Sequence, residues 1–376
     1  MSGNRDALRI GPIELGTPVV LAPMAGVTNR AFRRLCRRYG AALLVSEMVN
    51  ARALVEGNDR SSELTAFDDD ETTRSLQLYG TDPATIAAAV ALLTDRGVHH
   101  IDLNLGCPVR KVTRHGGGAA LPARPRLVGA LVAAAVGASG GAPITVKMRL
   151  GLDDDRLTFI PAARAAADAG AVAVALHART AAQLYSGEAR WSAIAELVAA
   201  LPGVAVLGNG DIWTGAHAVR MLDQTGCAGV VVGRGCLGNP WLFRDLTAAF
   251  AGAPIAEPPR LGEVCATIVE HASLLVDHVG ETRAMLDIRK HVGWYLGGYV
   301  VGGWRRRAIV QSTSLTELRD RLDDLDPGQE LPIENRGIPR GTRRGPQDVT
   351  LPAGWLDATA DAPPARGDAE LALSGG

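Results

Sequence analysis

Cys107 stands in the run Asn104-Leu105-Gly106-Cys107-Pro108, where an apolar stretch beginning near His100 comes to its end. A thiol with a pKa of about 8.5 is mostly protonated at neutral pH, which suits a proton donor better than a nucleophile. A small buried residue is the alternative. That reading fits Cys36, Cys227, Cys236 and Cys265 better than Cys107, because Asn104 and Cys107 share one loop and both can face a planar ligand. Lys147 lies inside Ile144-Thr145-Val146-Lys147-Met148-Arg149, where an unpaired ammonium would be expensive. Its partner is either an acid such as Asp102 or Glu47, or a cofactor that becomes anionic during a reaction. Two glycine-rich stretches, Gly208-Asn209-Gly210-Asp211 and Gly233-Arg234-Gly235, precede a helix start expected at Asn239-Pro240. Glycine lets backbone N–H groups approach phosphate oxygens, and Arg234 adds a fixed charge with a two-pronged fork.

The elements that must position these groups have a clear period. Apolar runs begin near Val19, Ala42, Ser75, His100, Ile144, Val172, Val204 and Gly229, on average 30 residues apart. Helix punctuation lies between them, such as Thr81-Asp82-Pro83 before a run of Ala, Ile, Val and Leu that stops at Gly97. Apolar strands alternating with helices indicate a parallel sheet covered on both faces, and eight units match a (β/α)8 TIM barrel. An open doubly wound sheet would show G-x-G-x-x-G after its first strand, and none follows Met24. Barrel chemistry sits at the C-terminal strand ends. Those ends read Ala22-Pro23-Met24-Ala25-Gly26, Ser46-Glu47-Met48, Gln77, the Cys107 loop, Lys147-Met148-Arg149, His177-Ala178-Arg179 and the two glycine loops. Past residue 252, Leu261 to Val279, Thr282 to Leu296 and Ser314 to Leu325 read as helices without intervening strands. The expected organisation is a barrel over 1–252, a small all-helical domain over 253–326 and a disordered tail over 327–376.

Composition excludes several classes. With 47% hydrophobic and 21% charged residues the chain is not wholly disordered. No apolar core of a signal peptide and no bilayer-length apolar run is present, and five widely spaced cysteines without C-x-x-C argue against a disulfide scaffold or a zinc site. A cytoplasmic protein without metal, membrane anchor or obligate protein partner is expected. The 39 basic and 40 acidic residues give a formal charge of −1. Three segments nonetheless carry +17 together: Thr17 to Ser46, Leu103 to Leu152 and Thr282 to Arg307. Such segments can neutralise phosphates locally whatever the total. Trp294, Tyr295 and Trp304 lie near the third and are candidates for stacking on bases. Only three of the basic residues are lysines, Lys111, Lys147 and Lys290, and Lys147 is where a planar guanidinium would substitute worst.

The strand-end motifs, with Leu21 to Thr28, Asp102 to Pro108, Val146 to Leu150, Gly208 to Ile212 and Gly233 through Trp241, resemble those of tRNA-dihydrouridine synthases over roughly residues 8 to 325. Arg289-Lys290-His291-Val292 with Trp294-Tyr295-Leu296 resembles the helical domain of the bacterial B-type branch. The resemblance implies an FMN enzyme that uses NADPH to reduce the C5=C6 bond of uridine in tRNA, with Cys107 giving a proton to C5 and the flavin a hydride to C6. It places FMN against Pro23, Met24 and Ala25, with Gln77 and Lys147 at the ring system, His177 on the cofactor side, and Asn209, Gly210, Asp211, Gly233 and Arg234 around the phosphate. Asn104 would read the uracil edge, with Arg149, Arg179, Arg289 and Lys290 on the substrate side. A barrel flavoenzyme acting on a free pyrimidine or another small conjugated molecule is the rival. Two departures from the family pattern are Ala178 in place of Gly and a glycine-rich loop, Arg110 to Gly118, after Cys107-Pro108.

Overall fold

The computed structural model describes residues 7–341 and 345–357. A hairpin, β1 (Leu8–Ile10) and β2 (Ile13–Leu15), precedes β3 (Val19–Leu21), β4 (Leu43–Asn50), β5 (Ser75–Tyr79), β6 (His100–Leu105), β7 (Ile144–Arg149), β8 (Ala173–His177), β9 (Ala205–Asn209) and β10 (Gly229–Val232). From β3 onward the strands are parallel and pair in chain order, and β10 returns to β3 through Val230↔Val19 and Val232↔Leu21. The chain is a closed eight-stranded (β/α)8 barrel, and each strand begins within one residue of its expected start.

Alternation along each strand sorts its side chains. In β7, Ile144, Val146 and Met148 join the apolar layer under the helices. Thr145 and Lys147, out of phase with them, bond across the barrel interior. At the N-terminal end of the barrel Leu8, Ile10 and Leu15 pack with Val20, Leu43, Ala173, Leu207 and Val231, so the hairpin plugs the bottom. Above that plug the interior turns polar. The Ser75 hydroxyl lies 2.7 Å from His100 Nδ1, and His100 Nε2 lies 2.9 Å from the Thr145 hydroxyl, which itself donates to Asp102 at 2.6 Å. His100 therefore carries its proton on Nε2, and burial lowers its pKa to about 4.

The helix Arg30–Arg38 is capped by Asn29, and its arginines do not make a free basic face. Arg30 pairs with Asp68, Arg37 with Asp70 and Arg38 with Glu270. Arg33 is 1% exposed; it pairs with the equally buried Glu71 at 2.6 Å and donates to the Thr28 and Ala66 carbonyls. The charge of the first basic segment is thus largely neutralised within the fold. Acids far downstream in sequence fold back onto it, which a count confined to the segment misses.

The helix expected at Asn239-Pro240 starts later: those residues form a turn and the helix spans Leu242–Phe250. Beyond it lie Leu261–Val279, Glu281–Tyr295, Gly303–Val310 and Leu315–Asp323. Gly303–Val310 was not foreseen, since its three consecutive arginines mask any apolar stripe. Leu261–Val279 and Glu281–Tyr295 pack Ile268, Leu275, Ile288 and Val292 with Ala31 and Trp241 of the barrel. Tyr295 is fully buried with its hydroxyl at His271, so it is a core residue rather than a stacking platform. Trp304 is 73% exposed beneath the Arg305 guanidinium.

The expectation of a disordered tail fails for residues 327–341 and 345–357. Asn335 donates to the Gly298 carbonyl at 2.8 Å and Arg340 to that of Gly238 at 2.8 Å. Gln347 N donates to Ala182 O at 2.9 Å, and Trp355 is 3% exposed. Low periodicity predicts disorder only if burial must be periodic; here single anchors hold an irregular chain. Residues 358–376 of that expectation lie outside the described residues.

Candidate active site

A cavity of about 800 Å³ opens at the C-terminal ends of the barrel strands, within the range of ligand sites. Cys107 and Lys147 both line it, with Met24, His177, Arg234 and Trp294. Neighbouring strands set their relation: Gln77 of β5 is in register with Asp102 of β6, and Asn104 of β6 with Lys147 of β7.

Asn104 organises the Cys107 loop. Its side-chain oxygen accepts from Cys107 N at 2.9 Å and Gly106 N at 3.1 Å, while its amide donates to Gln77 at 2.8 Å. Gln77 donates in turn to Asp102 at 2.6 Å, which the Thr145 hydroxyl also reaches. The expected uracil reader is thereby committed to holding its own loop. Burial pushes the Cys107 thiol above its ordinary pKa, while the Val109 amide, Arg149 and Lys111 pull it back. At neutral pH the group is a thiol with its proton in place.

Lys147 donates to Asn209 Oδ1 at 3.0 Å, and Asn209 donates to Val231 O at 2.6 Å. Neither acid proposed as its partner bonds it, although Asp102 supports its charge from a distance. Burial first, then repulsion from Arg149, lowers its pKa to about 8. Burial and four surrounding cations hold His177 well below its usual value, so its imidazole is neutral. Arg149 is fixed by the Gly106, Thr180 and Leu184 carbonyls and braces the Cys107 loop against the loop after β8.

Arg179 is not on the substrate side. It is 2% exposed, donates to the carbonyls of Ser186 and Gly187, and pairs with Asp211 at 2.8 Å. Asp211, in the left-handed region at φ 56°, also accepts from Ala189 N and lies 3.7 Å from Arg234. Its carboxylate orients two guanidiniums and cannot itself hold a phosphate. Arg234 is stacked over Tyr185 at 4.4 Å and Trp213 at 5.1 Å. Lys290 lines the cavity beside Gly26 and pairs with Asp287, whereas Arg289 is half-buried and outside the lining.

Sequence reasoning missed the layer beneath the site, Ser75, His100 and Thr145. Their signal was available, because they share the phase of Gln77, Asn104 and Lys147 on the same strands. Tyr185, Trp213 and Gln347 also reach the cavity wall, from loops whose paths no period encodes.

Fold and cavity together define a (β/α)8-barrel enzyme whose chemistry sits at the strand ends. The chain belongs to the dihydrouridine synthase (Dus) family, whose model matches residues 20–326. It is 52% identical over 360 residues to a "Probable tRNA-dihydrouridine synthase" of Mycobacterium tuberculosis (strain H37Rv), covering 93% of this chain and 92% of that protein. A namesake in Mycobacterium leprae is 49% identical, covering 90% and 95%. The tRNA-dihydrouridine synthase B of Shewanella oneidensis is 37% identical over 289 residues, covering 77% and 89%. The resemblance read from the strand-end motifs, the B-type likeness included, is therefore correct.

Proposed function

We infer that this chain reduces the C5=C6 bond of uridines in tRNA, using FMN as bound cofactor and NADPH as reductant, with Cys107 as the acid. The observation carrying this reading is a protonated thiol and a lysine ammonium lining one cavity.

The cavity fits FMN on its own features. Arg179 Nη1 is buried without a hydrogen-bond partner among the described residues, and it lies 3.7 Å from where a Cβ on Gly210 would stand. An orphaned guanidinium N–H beside a glycine loop suits a phosphate oxygen. Asn209, Gly210, Gly233 and Arg234 would hold that phosphate, with Asp211 aligning the arginines. Lys147, Gln77 and neutral His177 would meet the ring system, and Pro23, Met24 and Ala25 would form its floor. FMN, reduced by NADPH, supplies the hydride that C6 receives.

The chain's own residues do the rest. Asn104 and Arg149 fix the Cys107 loop so that the thiol gives its proton to C5. Arg149 and Lys111 then stabilise the thiolate until solvent returns the proton. Lys147 offsets negative charge on the cofactor ring. Lys290 at the cavity wall and half-buried Arg289 outside it would bring phosphate-binding charge to that face, and the exposed Trp304 would offer its open face to an unpaired base. No helix of the described residues is long and apolar enough to cross a membrane, and we place the reaction in the cytoplasm with tRNA as its macromolecular partner.

The test is conversion of unmodified tRNA by the purified protein with NADPH, read by mass mapping of dihydrouridine. Conversion of free UMP at a comparable rate would overturn the tRNA assignment. Lys147→Met is expected to weaken FMN binding by about 10–150-fold, the loss of one charged hydrogen bond worth roughly 1.5–3 kcal/mol. In the parent protein that affinity should fall as pH rises through about 8, as Lys147 loses its proton. In Lys147→Met the fall should be absent. Stability moves oppositely, because an unfolded lysine keeps its proton to about 10.4 and stability therefore rises between the two values. Fluorescence titration of FMN across pH decides the point; an identical pH profile in the variant would remove Lys147 from the cofactor.

A further inference from the structure

Two features left over from the sequence meet in space. One is the glycine-rich loop after Cys107; the other is the chain beyond residue 326, where the family match ends. A Cβ on Gly116 would stand 2.3 Å from Trp355 Cη2, and Gly116 has φ +80°, so the indole occupies the room of the missing side chain. Trp355 Nε1 donates to Ala120 O at 2.9 Å. Arg124 stacks on the indole at 3.9 Å and donates from Nε to Trp355 O at 3.0 Å. Ala120 belongs to the 3-10 turn Gly118–Ala123, whose other edge holds Cys107: Ala119 N donates to Cys107 O at 3.0 Å. A Cβ on Gly118 would lie 2.5 Å from that same oxygen. Trp355 thus presses on the outside of the turn that seats Cys107 on its inside. Eight residues earlier, Gln347 is bonded to Ala182 in the loop after β8 and reaches the cavity wall.

We propose that residues 345–357 are a strap joining the loops after β6 and β8, and that Trp355 is a positioning residue for Cys107. The strap closes one side of the cavity at Gln347 and fixes the turn behind the thiol at Trp355. It explains the loop's excess of glycine: Gly116 admits the indole and Gly118 admits the Cys107 carbonyl. A displacement of about 1 Å at a reacting group costs about 100-fold in rate, so a clamp of this kind has kinetic weight.

The activity arm of the test rests on the proton-donor reading of Cys107; the thiol arm does not. Parent protein, Trp355→Ala, Trp355→Phe and Gly116→Ala are each loaded with FMN and treated with iodoacetamide, and alkylation of each cysteine is followed by mass spectrometry. Dihydrouridine formation in saturating tRNA is measured in parallel. In Trp355→Ala and Gly116→Ala, Cys107 should alkylate about 5-fold faster or more and turnover should fall about 10-fold or more. Flavin content should be unchanged, the buried Cys36 and Cys227 should stay unmodified, and Trp355→Phe should recover most of the difference. Cys107 reactivity and turnover within about twofold of the parent in Gly116→Ala and Trp355→Ala, or reactivity rising equally at Cys36 and Cys227, would overturn the proposal. Gly116→Ala and Trp355→Phe keep it open to refutation if Trp355→Ala does not fold. A parent protein inactive on tRNA would refute the proposed function while the alkylation rates still judged the strap.

Discussion

Under the proposed reading, Cys107→Ala is expected to keep its flavin and still oxidise NADPH, yet form dihydrouridine about 10²–10⁴-fold more slowly, the usual contribution of a positioned acid. The expectation follows from where the thiol sits. Among the described residues Cys107 is hydrogen-bonded to none of those proposed to hold the cofactor; its loop is held by Asn104 and Arg149, which remain in the variant. The sign of the pH effect follows from burial. Because the thiol pKa is raised, Cys107 keeps its proton through neutral pH and loses it only as pH climbs through that raised value. Anaerobic single-turnover measurement with prereduced enzyme separates this step from NADPH oxidation. Parent-like dihydrouridine formation by Cys107→Ala would assign the proton to another group.

Arg33→Met lowers folding stability by about 3–5 kcal/mol, since it strands Glu71 as a buried charge without its partner. Both side chains are 2% exposed. The same substitution leaves the salt dependence of tRNA binding unchanged, because a residue sealed in the core releases no counterions. Denaturant midpoints and filter binding at several salt concentrations measure the two effects. A salt slope reduced by about one, with parent-like stability, would return Arg33 to the tRNA surface.

The barrel was legible because its rule is local. Each strand opens on an apolar run and some helices carry their own punctuation, so Asp82-Pro83 marks a boundary without help from distant residues. The strand-end residues were legible for the same reason. What the sequence hid was the partner of several charged groups, which lies far along the chain. Arg33 and Arg37 counted toward a segment able to neutralise phosphates until Glu71 and Asp70 folded over them. Arg179 looked substrate-facing until Asp211 claimed it. Lys147 found a neutral amide, Asn209, rather than either acid weighed for it. The tail misled for the converse reason: Asn335, Arg340, Gln347 and Trp355 hold it, and scattered single anchors make no period.

The ring closes late. Strand β3 is among the first pieces of the barrel to leave the ribosome, and it finds β4 within some twenty residues. Its other edge must wait for Val230–Val232, more than two hundred residues further on. At about 5–20 residues per second, that edge stays open for roughly 10–40 s of synthesis. An unpaired edge is a template for other chains, and very short edge strands are a common protection. β3 has three residues. Its brevity limits what a neighbouring nascent chain can add before β10 arrives, so the smallest strand of the barrel occupies the position most exposed to misassembly.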